Sequence, residues 1–374
     1  MAHFKILLIT TGGTIAQTHD AQGRTKQREE PEAGSSPFHI CVDAIIKRLN
    51  NAGAEDEETH TIGAIEIAEV LNKDSSNIIS DDWVTLIDKI IEEYDRYNAF
   101  VITHGTNTVG YTSSALSFAL GRLGKPVVLT GSQVSFDYPG SDALMNLENA
   151  IRIAAYSKTK LNGVMVVFGS MIISGTRVKK TTEFDYDAFK NFNNKGKLGR
   201  IGNCVRLDRN ELVKHMSFLG NPAKLCKELE VKKCFDMSIA SLTEYPGMNS
   251  SIFKALVEGE SMVKGFILRA TGAGDPNVTK GEDKDKFRNL RGGFEYLREN
   301  RIPIIITTQA PDGIASMDIN TPGIEAYALG AIPAKDMSME SMTVKLAWLL
   351  GRKIPYEEMR EMMTQPFRGE IMME

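Results

Sequence analysis

Short apolar runs of four to six residues recur along this chain, and several stop in turns of threonine, glycine and serine. The first is Ile6 to Ile9, which ends in Thr10-Thr11-Gly12-Gly13-Thr14. Ile62 to Ile67, Ala99 to Ile102, Pro126 to Leu129 and Val164 to Phe168 are of the same kind. Continuous runs of that length fit strands buried on both faces of a parallel sheet. Between them, apolar residues fall at helical spacing. Ile40, Ala44, Ile45 and Leu49 share one face, and Trp83, Leu86, Ile87, Ile90 and Ile91 share another behind the helix start Ser80-Asp81-Asp82. Two more helices are expected over 110–123 and over 143–156, the latter behind the N-cap pair Ser141-Asp142. Gln17 to Ser36 is polar without a period and reads as a surface loop, as does Leu71 to Ser76.

Residues 169–235 read as polar and irregular, with a basic segment Arg177 to Lys180 and an Asn/Lys-rich stretch at 190–198. The strand–helix alternation then resumes. Strands are expected at 237–243, 264–269 and 302–307, and helices at 250–258, 284–299, 321–329, 338–351 and 356–364. The pattern predicts an α/β protein of two domains, each a mostly parallel sheet flanked by helices in three layers. The expected limits are 1–205 for the first domain, 206–235 for a linker and 236–374 for a smaller second domain. A length of 374 residues fits this, since it exceeds what one core ordinarily organises.

Charge and cysteine content narrow the classes. With 44 basic and 48 acidic residues the net charge is −4, which leaves no overall nucleic-acid footprint. No apolar run is long enough for a bilayer, and the first strand starts too early to leave room for a signal peptide. Cys41, Cys204, Cys226 and Cys234 lack CxxC spacing, and the six histidines do not cluster. A cytoplasmic protein with no metal or cofactor is the expectation.

Three strands end in turns rich in hydroxyls and amides: Thr10 to Thr14, Thr103 to Thr108, and Thr130 to Gln133. In a parallel sheet these ends share one edge, where open α/β folds bind ligands. Glycine-rich phosphate loops are not matched, because no GK[ST] follows and Gly12-Gly13 misses the GxGxxG spacing. There is no GxSxG elbow either. A threonine nucleophile remains, and it needs a base and an oxyanion hole. Lys179 or Lys180 serves as that base if burial lowers its pKa; a solvated surface charge is the plainer reading of that basic tract.

The motifs TTGGTIA, THGTNT, VVLTGSQ and SDALMNLENA, in this order, resemble the bacterial-type L-asparaginases. The run from IPIIITTQAPDG to AWLLG is similar to archaeal asparaginases, and TGSQ with SDALMNL also resembles the D subunit of glutamyl-tRNA(Gln) amidotransferase. The resemblance implies an amidohydrolase acting on a small amide, asparagine first, without cofactor or metal. It further implies a homodimer or homotetramer whose sites are completed across an interface. By motif, Thr14 matches the nucleophile, and Thr106 the second threonine that works with Lys180. Asp74 and Ser75 match the loop that holds the substrate's charged groups, backbone amides near Thr14 and Thr106 the oxyanion hole, Gly105 a substrate-binding position, and Ser132 the place facing the leaving amide. Three departures accompany the match. Asn107 stands where the family carries aspartate, Asp275 stands where it carries asparagine, and no tyrosine precedes Tyr94. The alternatives these departures keep open are a glutaminase, an amidase like the amidotransferase component, and a weak homologue that binds an amino acid.

Overall fold

The computed structural model describes residues 4–19, 25–26, 37–56, 58–219, 231–260, 262–280, 289–311 and 313–372. Most of the loop expected at 17–36, and the start of the helix expected at 284–299, lie outside the described residues. The chain divides into two compact units, Met1–Lys233 and Cys234–Glu374.

In the first unit the elements begin with β1 (Phe4–Gly12), β2 (Thr18–His19), β3 (Thr25–Lys26), α1 (Pro37–Asp56), β4 (Ile62–Lys73), α2 (Ser80–Glu92) and β5 (Ala99–Thr103). They continue with α3 (Val109–Leu120), β6 (Pro126–Thr130), α4 (Ala143–Ala154), β7 (Gly163–Phe168) and β8 (Met171–Ser174). After these come β9 (Val178–Lys180), β10 (Phe189–Asn191), β11 (Lys197–Ile201), β12 (Val205–Leu207) and α5 (Arg209–Leu219). One sheet of eight strands runs in the order β12-β11-β8-β7-β6-β5-β1-β4. Strands β4, β1, β5, β6 and β7 are mutually parallel, whereas β8, β11 and β12 join antiparallel.

The apolar runs are buried on both faces, which is why they do not alternate. Ile6, Leu8, Val101, Val128 and Met165 pack with Ile45, Leu49, Leu147 and Ile151 of α1 and α4. The alternate residues Leu7, Ile9, Phe100 and Ile102 face the other way along each strand and are equally buried. Each such side chain contributes about 1.5–3 kcal/mol by leaving water.

Three expectations change. Leu71 to Lys73, read as part of a loop, continue β4, where Lys73 pairs with Gly12 of β1. The stretch read as irregular, 169–235, holds β8 to β12 and α5. Its strands are only three to five residues long; β8, β11 and β12 extend one edge of the sheet and β9 and β10 pair in a separate two-stranded ribbon, so they carry little periodic signal. Asp142 precedes α4 but makes no side-chain cap to it. Its carboxylate instead accepts from the backbone N–H groups of Gln133 and Val134 and from Asn146 Nδ2, and so ties down the turn after β6.

In the second unit β13 (Ile239–Thr243), α6 (Ser251–Glu258), β14 (Gly265–Ala270), α7 (Arg291–Glu299) and β15 (Ile304–Thr308) alternate as expected. They are followed by α8 (Thr321–Ala328), β16 (Ile332–Pro333), α9 (Met339–Gly351) and α10 (Tyr356–Thr364). The four strands form a parallel sheet in the order β13-β14-β15-β16. Phe253, Phe266, Phe294 and Leu268 lie at its core. A fully buried ion pair, Lys345 Nζ to Glu370 Oε1 at 2.6 Å, anchors the chain beyond α10 onto α9. Among the described residues no helix is long and apolar enough to cross a membrane.

Candidate active site

Strand order places the site. The chain goes from β1 to its neighbour β4, then crosses over to β5 on the other side of β1. The order thus reverses between β1 and β5, and the turns beyond their carboxyl ends flank a crevice of the kind that binds ligands in open α/β sheets. Thr14 follows β1, and Thr106 follows β5. The turn after β4 carries Asp74 and Ser75, and the turn after β6 carries Ser132.

Glycines let these turns interlock. Gly12 and Gly13 have φ of +90° and +75°, a region L side chains rarely adopt. A Cβ on Gly13 would stand 2.4 Å from Gly105 Cα, and one on Gly105 would stand 2.5 Å from Ser75 Oγ. A Cβ on Gly131 would meet the His104 carbonyl oxygen at 2.3 Å. Backbone bonds complete the weave, with Gly13 N–H donating to Lys73 O at 2.9 Å and His104 N–H to Thr130 O at 2.8 Å. The Thr11 hydroxyl donates to Thr103 O at 3.0 Å.

Lys180, at the end of β9, reaches this edge from the side. Its ammonium nitrogen lies 2.8 Å from Thr106 Oγ1 and 3.0 Å from Asn107 Oδ1. Desolvation lowers its pKa, while Glu183 and Asp74 act in the opposite sense. Successive strand residues point to opposite faces, so Lys180 is the member of the Lys179-Lys180 pair that meets Thr106. Asn107 is held from its other end, with Nδ2 donating to Ser76 Oγ at 3.0 Å and its backbone N–H to Ser75 Oγ at 3.2 Å. Thr108 Oγ1 donates to Ser75 O at 2.7 Å, which fastens the turns after β4 and β5 together. Asp74 accepts from Ser76 N–H at 2.8 Å and from Gln17 Nε2 at 3.4 Å.

Two hydroxyls at this edge are uncommitted. The part-exposed Thr14 side chain has no hydrogen bond among the described residues. Ser132 Oγ is fully buried and likewise unpartnered. A buried hydroxyl without a partner costs about 1–3 kcal/mol, so Ser132 is spare capacity where a polar ligand would sit, and the Thr14 hydroxyl is free to meet it.

The structure therefore brings together Thr106, Asn107, Lys180, Ser75 and Gly105, with Asp74 one residue from Ser75 and Thr14 one residue from Gly13. Asp275 belongs to the second unit. Its Oδ2 accepts from Ala273 N–H at 3.1 Å and Asn320 Nδ2 at 2.8 Å, and its Oδ1 is buried without a partner. Sequence reasoning missed Ser76 and Gln17, although Ser76 adjoins the Asp74-Ser75 pair and Gln17 is the first amide after TTGGTIA. It also missed the surroundings of His104, a side chain with no exposure whose pKa desolvation pushes down to about 4.

Residues 5–213 match the family described as Asparaginase, N-terminal, and residues 238–363 match the Glutaminase/Asparaginase C-terminal domain. The chain is 33% identical over 369 residues to an L-asparaginase of Thermococcus kodakarensis, covering 98% of this chain and 99% of that protein. It is 31% identical to L-asparaginase 1 of Escherichia coli, over 98% of this chain and 97% of that one. The D subunit of a glutamyl-tRNA(Gln) amidotransferase of Methanococcus maripaludis is 31% identical, with 98% of this chain and 80% of that protein covered. Among solved structures, L-asparaginase I from Vibrio cholerae matches with a TM-score of 0.80 and 29% identity over 100% of both chains.

Proposed function

The chain belongs to the asparaginase family, and on that footing we propose that it hydrolyses the side-chain amide of L-asparagine to L-aspartate and ammonia through Thr14. One observation carries the reading: Lys180 Nζ stands 2.8 Å from Thr106 Oγ1 at the same strand edge as the uncommitted Thr14. Burial lowers the pKa of Lys180, which raises the share of free amine able to act as a base.

In this reading Lys180, acting through Thr106, draws the proton from the Thr14 hydroxyl as its Oγ1 bonds to the amide carbon. Backbone N–H groups at Thr14 and Thr106, with Gly105 giving room, stabilise the developing oxyanion. The C–N bond then breaks and ammonia leaves with the transferred proton, beside Ser132. Water hydrolyses the aspartyl ester on Thr14 in a second step. Asp74 and Ser75 hold the substrate's charged ends. Asn107 fixes Lys180 without adding charge, and Asp275 of a second copy supplies the carboxylate that Asn107 lacks. The working form is then a homodimer or a dimer of dimers, with domains near 1–205 and 236–374, no cofactor, and a cytoplasmic location. Three free thiols among the described residues, Cys41, Cys204 and Cys234, fit a reducing compartment.

A second reading, a glutaminase, an amidotransferase-type amidase or a weak amino-acid binder, is favoured by Asn107 and by the kinship with the amidotransferase component of Methanococcus maripaludis. Ammonia release from asparagine, glutamine and amide-bearing peptides separates the readings. Asparagine is expected to be the fastest. Release from glutamine or peptides alone, or melting-temperature shifts without any release, would move the conclusion to the second reading.

A further inference from the structure

Behind the turn that carries Thr106 lies a chain of buried polar groups that touches none of the reacting positions. Trp83 of α2 directs Nε1 to Thr112 Oγ1 of α3 at 3.1 Å. Thr112 Oγ1 lies 2.9 Å from His104 Nε2, and His104 Nδ1 lies 2.7 Å from the carbonyl oxygen of Gly105. His104 and Thr112 have no exposure and Trp83 has 4%.

The donor rules leave these groups one arrangement. An indole N–H only donates and a carbonyl oxygen only accepts. His104 Nδ1 must therefore carry the proton that reaches Gly105 O. The ring is neutral, since desolvation pushes its pKa to about 4, so Nε2 is a bare acceptor. The Thr112 hydroxyl donates to it while accepting from Trp83.

This order fixes a backbone group in the site. In a planar trans peptide the C=O and N–H point in opposite directions. Drawing the Gly105 carbonyl toward the buried His104 ring aims the Thr106 N–H the other way, to the side of the crevice. That N–H has no acceptor among the described residues. The same segment is pinned on its other flanks by His104 N–H on Thr130 O at 2.8 Å and by the close approach of Gly13.

We infer that His104, ordered by Thr112 and Trp83, is a positioning residue that holds the Gly105–Thr106 peptide with its N–H presented to the oxygen of the scissile amide. The inference rests on the amidohydrolase reading for the identity of that oxygen, but the network itself is measurable without substrate.

The test has two arms. In the first, nitrogen-15 NMR of histidine-labelled wild-type protein reads the His104 tautomer between pH 5 and 8. A neutral, Nδ1-protonated ring that does not titrate in that range is expected; an Nε2-protonated ring overturns the inference even if the enzyme is active. In the second arm, His104→Asn keeps an amide N–H where Nδ1–H stands, whereas His104→Gln extends its amide only to the Nε2 position. His104→Gln is expected to lower kcat by about 10²-fold, the scale of losing one oxyanion donor, with KM little changed. His104→Asn is expected to keep kcat within about tenfold of wild type. Melting curves of both variants separate unfolding from mispositioning. Equal kcat in folded wild-type, Asn and Gln proteins overturns the positioning role. If wild type has the expected tautomer but hydrolyses no amide, the amidohydrolase reading fails and the kcat claim falls with it.

Discussion

Lys180 donates to two acceptors, Thr106 Oγ1 and Asn107 Oδ1, and neither is charged. Burial therefore lowers its pKa without a carboxylate in hydrogen-bonding contact to restore it. The free amine fraction grows as pH rises through that lowered pKa, so hydrolysis should rise with pH over the same range. Asn107→Asp puts a carboxylate about where Oδ1 now stands, favours the ammonium and raises the Lys180 pKa. The rising limb of the pH–rate profile is then expected to move to higher pH; a limb that stays in place shows that Lys180 is not the titrating base. Much of this residue-level picture is readable in the chain, because the TGGT and HGT motifs and the basic segment Arg177 to Lys180 are local strings. The His104–Thr112–Trp83 network is not. It couples residues 8 and 29 positions apart on two helices and a turn, and each is an ordinary core residue when read alone.

At the scale of elements, the site depends on how closely four strand ends approach, and glycine is what permits it. Gly13→Ala would force a left-handed backbone on alanine and drive its Cβ to 2.4 Å from Gly105 Cα. Overpacking of this kind costs about 1–3 kcal/mol, and the backbone shift would also move Thr14 relative to Thr106. Denaturant melts should show that loss together with a fall in kcat. Wild-type stability and rate in this variant would mean the turns are not mutually constrained. The alternation of buried strands and amphipathic helices was legible in both units because each element carries its own period. β8 to β12 were not, being short, partly polar and antiparallel, three of them at the sheet edge and two in a separate ribbon, where burial does not impose a continuous apolar run. Asp142 illustrates a subtler limit. Its position before a helix suggested a cap, but the two free N–H groups of the turn after β6 took its carboxylate instead.

For the whole molecule, the family relation spans both units, and the second carries the other departure, Asp275. One Asp275 oxygen is committed to Ala273 and Asn320, while the other is buried without a partner. If that carboxylate serves the site of a second copy, Asp275→Asn should raise KM for asparagine, and adding Asn107→Asp should restore it. A harmless Asp275→Asn contradicts the exchange. The most direct test of Thr14 as the nucleophile is ammonia release from L-asparagine by wild-type protein and by Thr14→Val, side by side at equal concentration. Release matched by aspartate is expected from the wild type, with a loss of about 10⁴-fold or more in Thr14→Val. No release by the wild type, or an undiminished rate in Thr14→Val, would contradict that role.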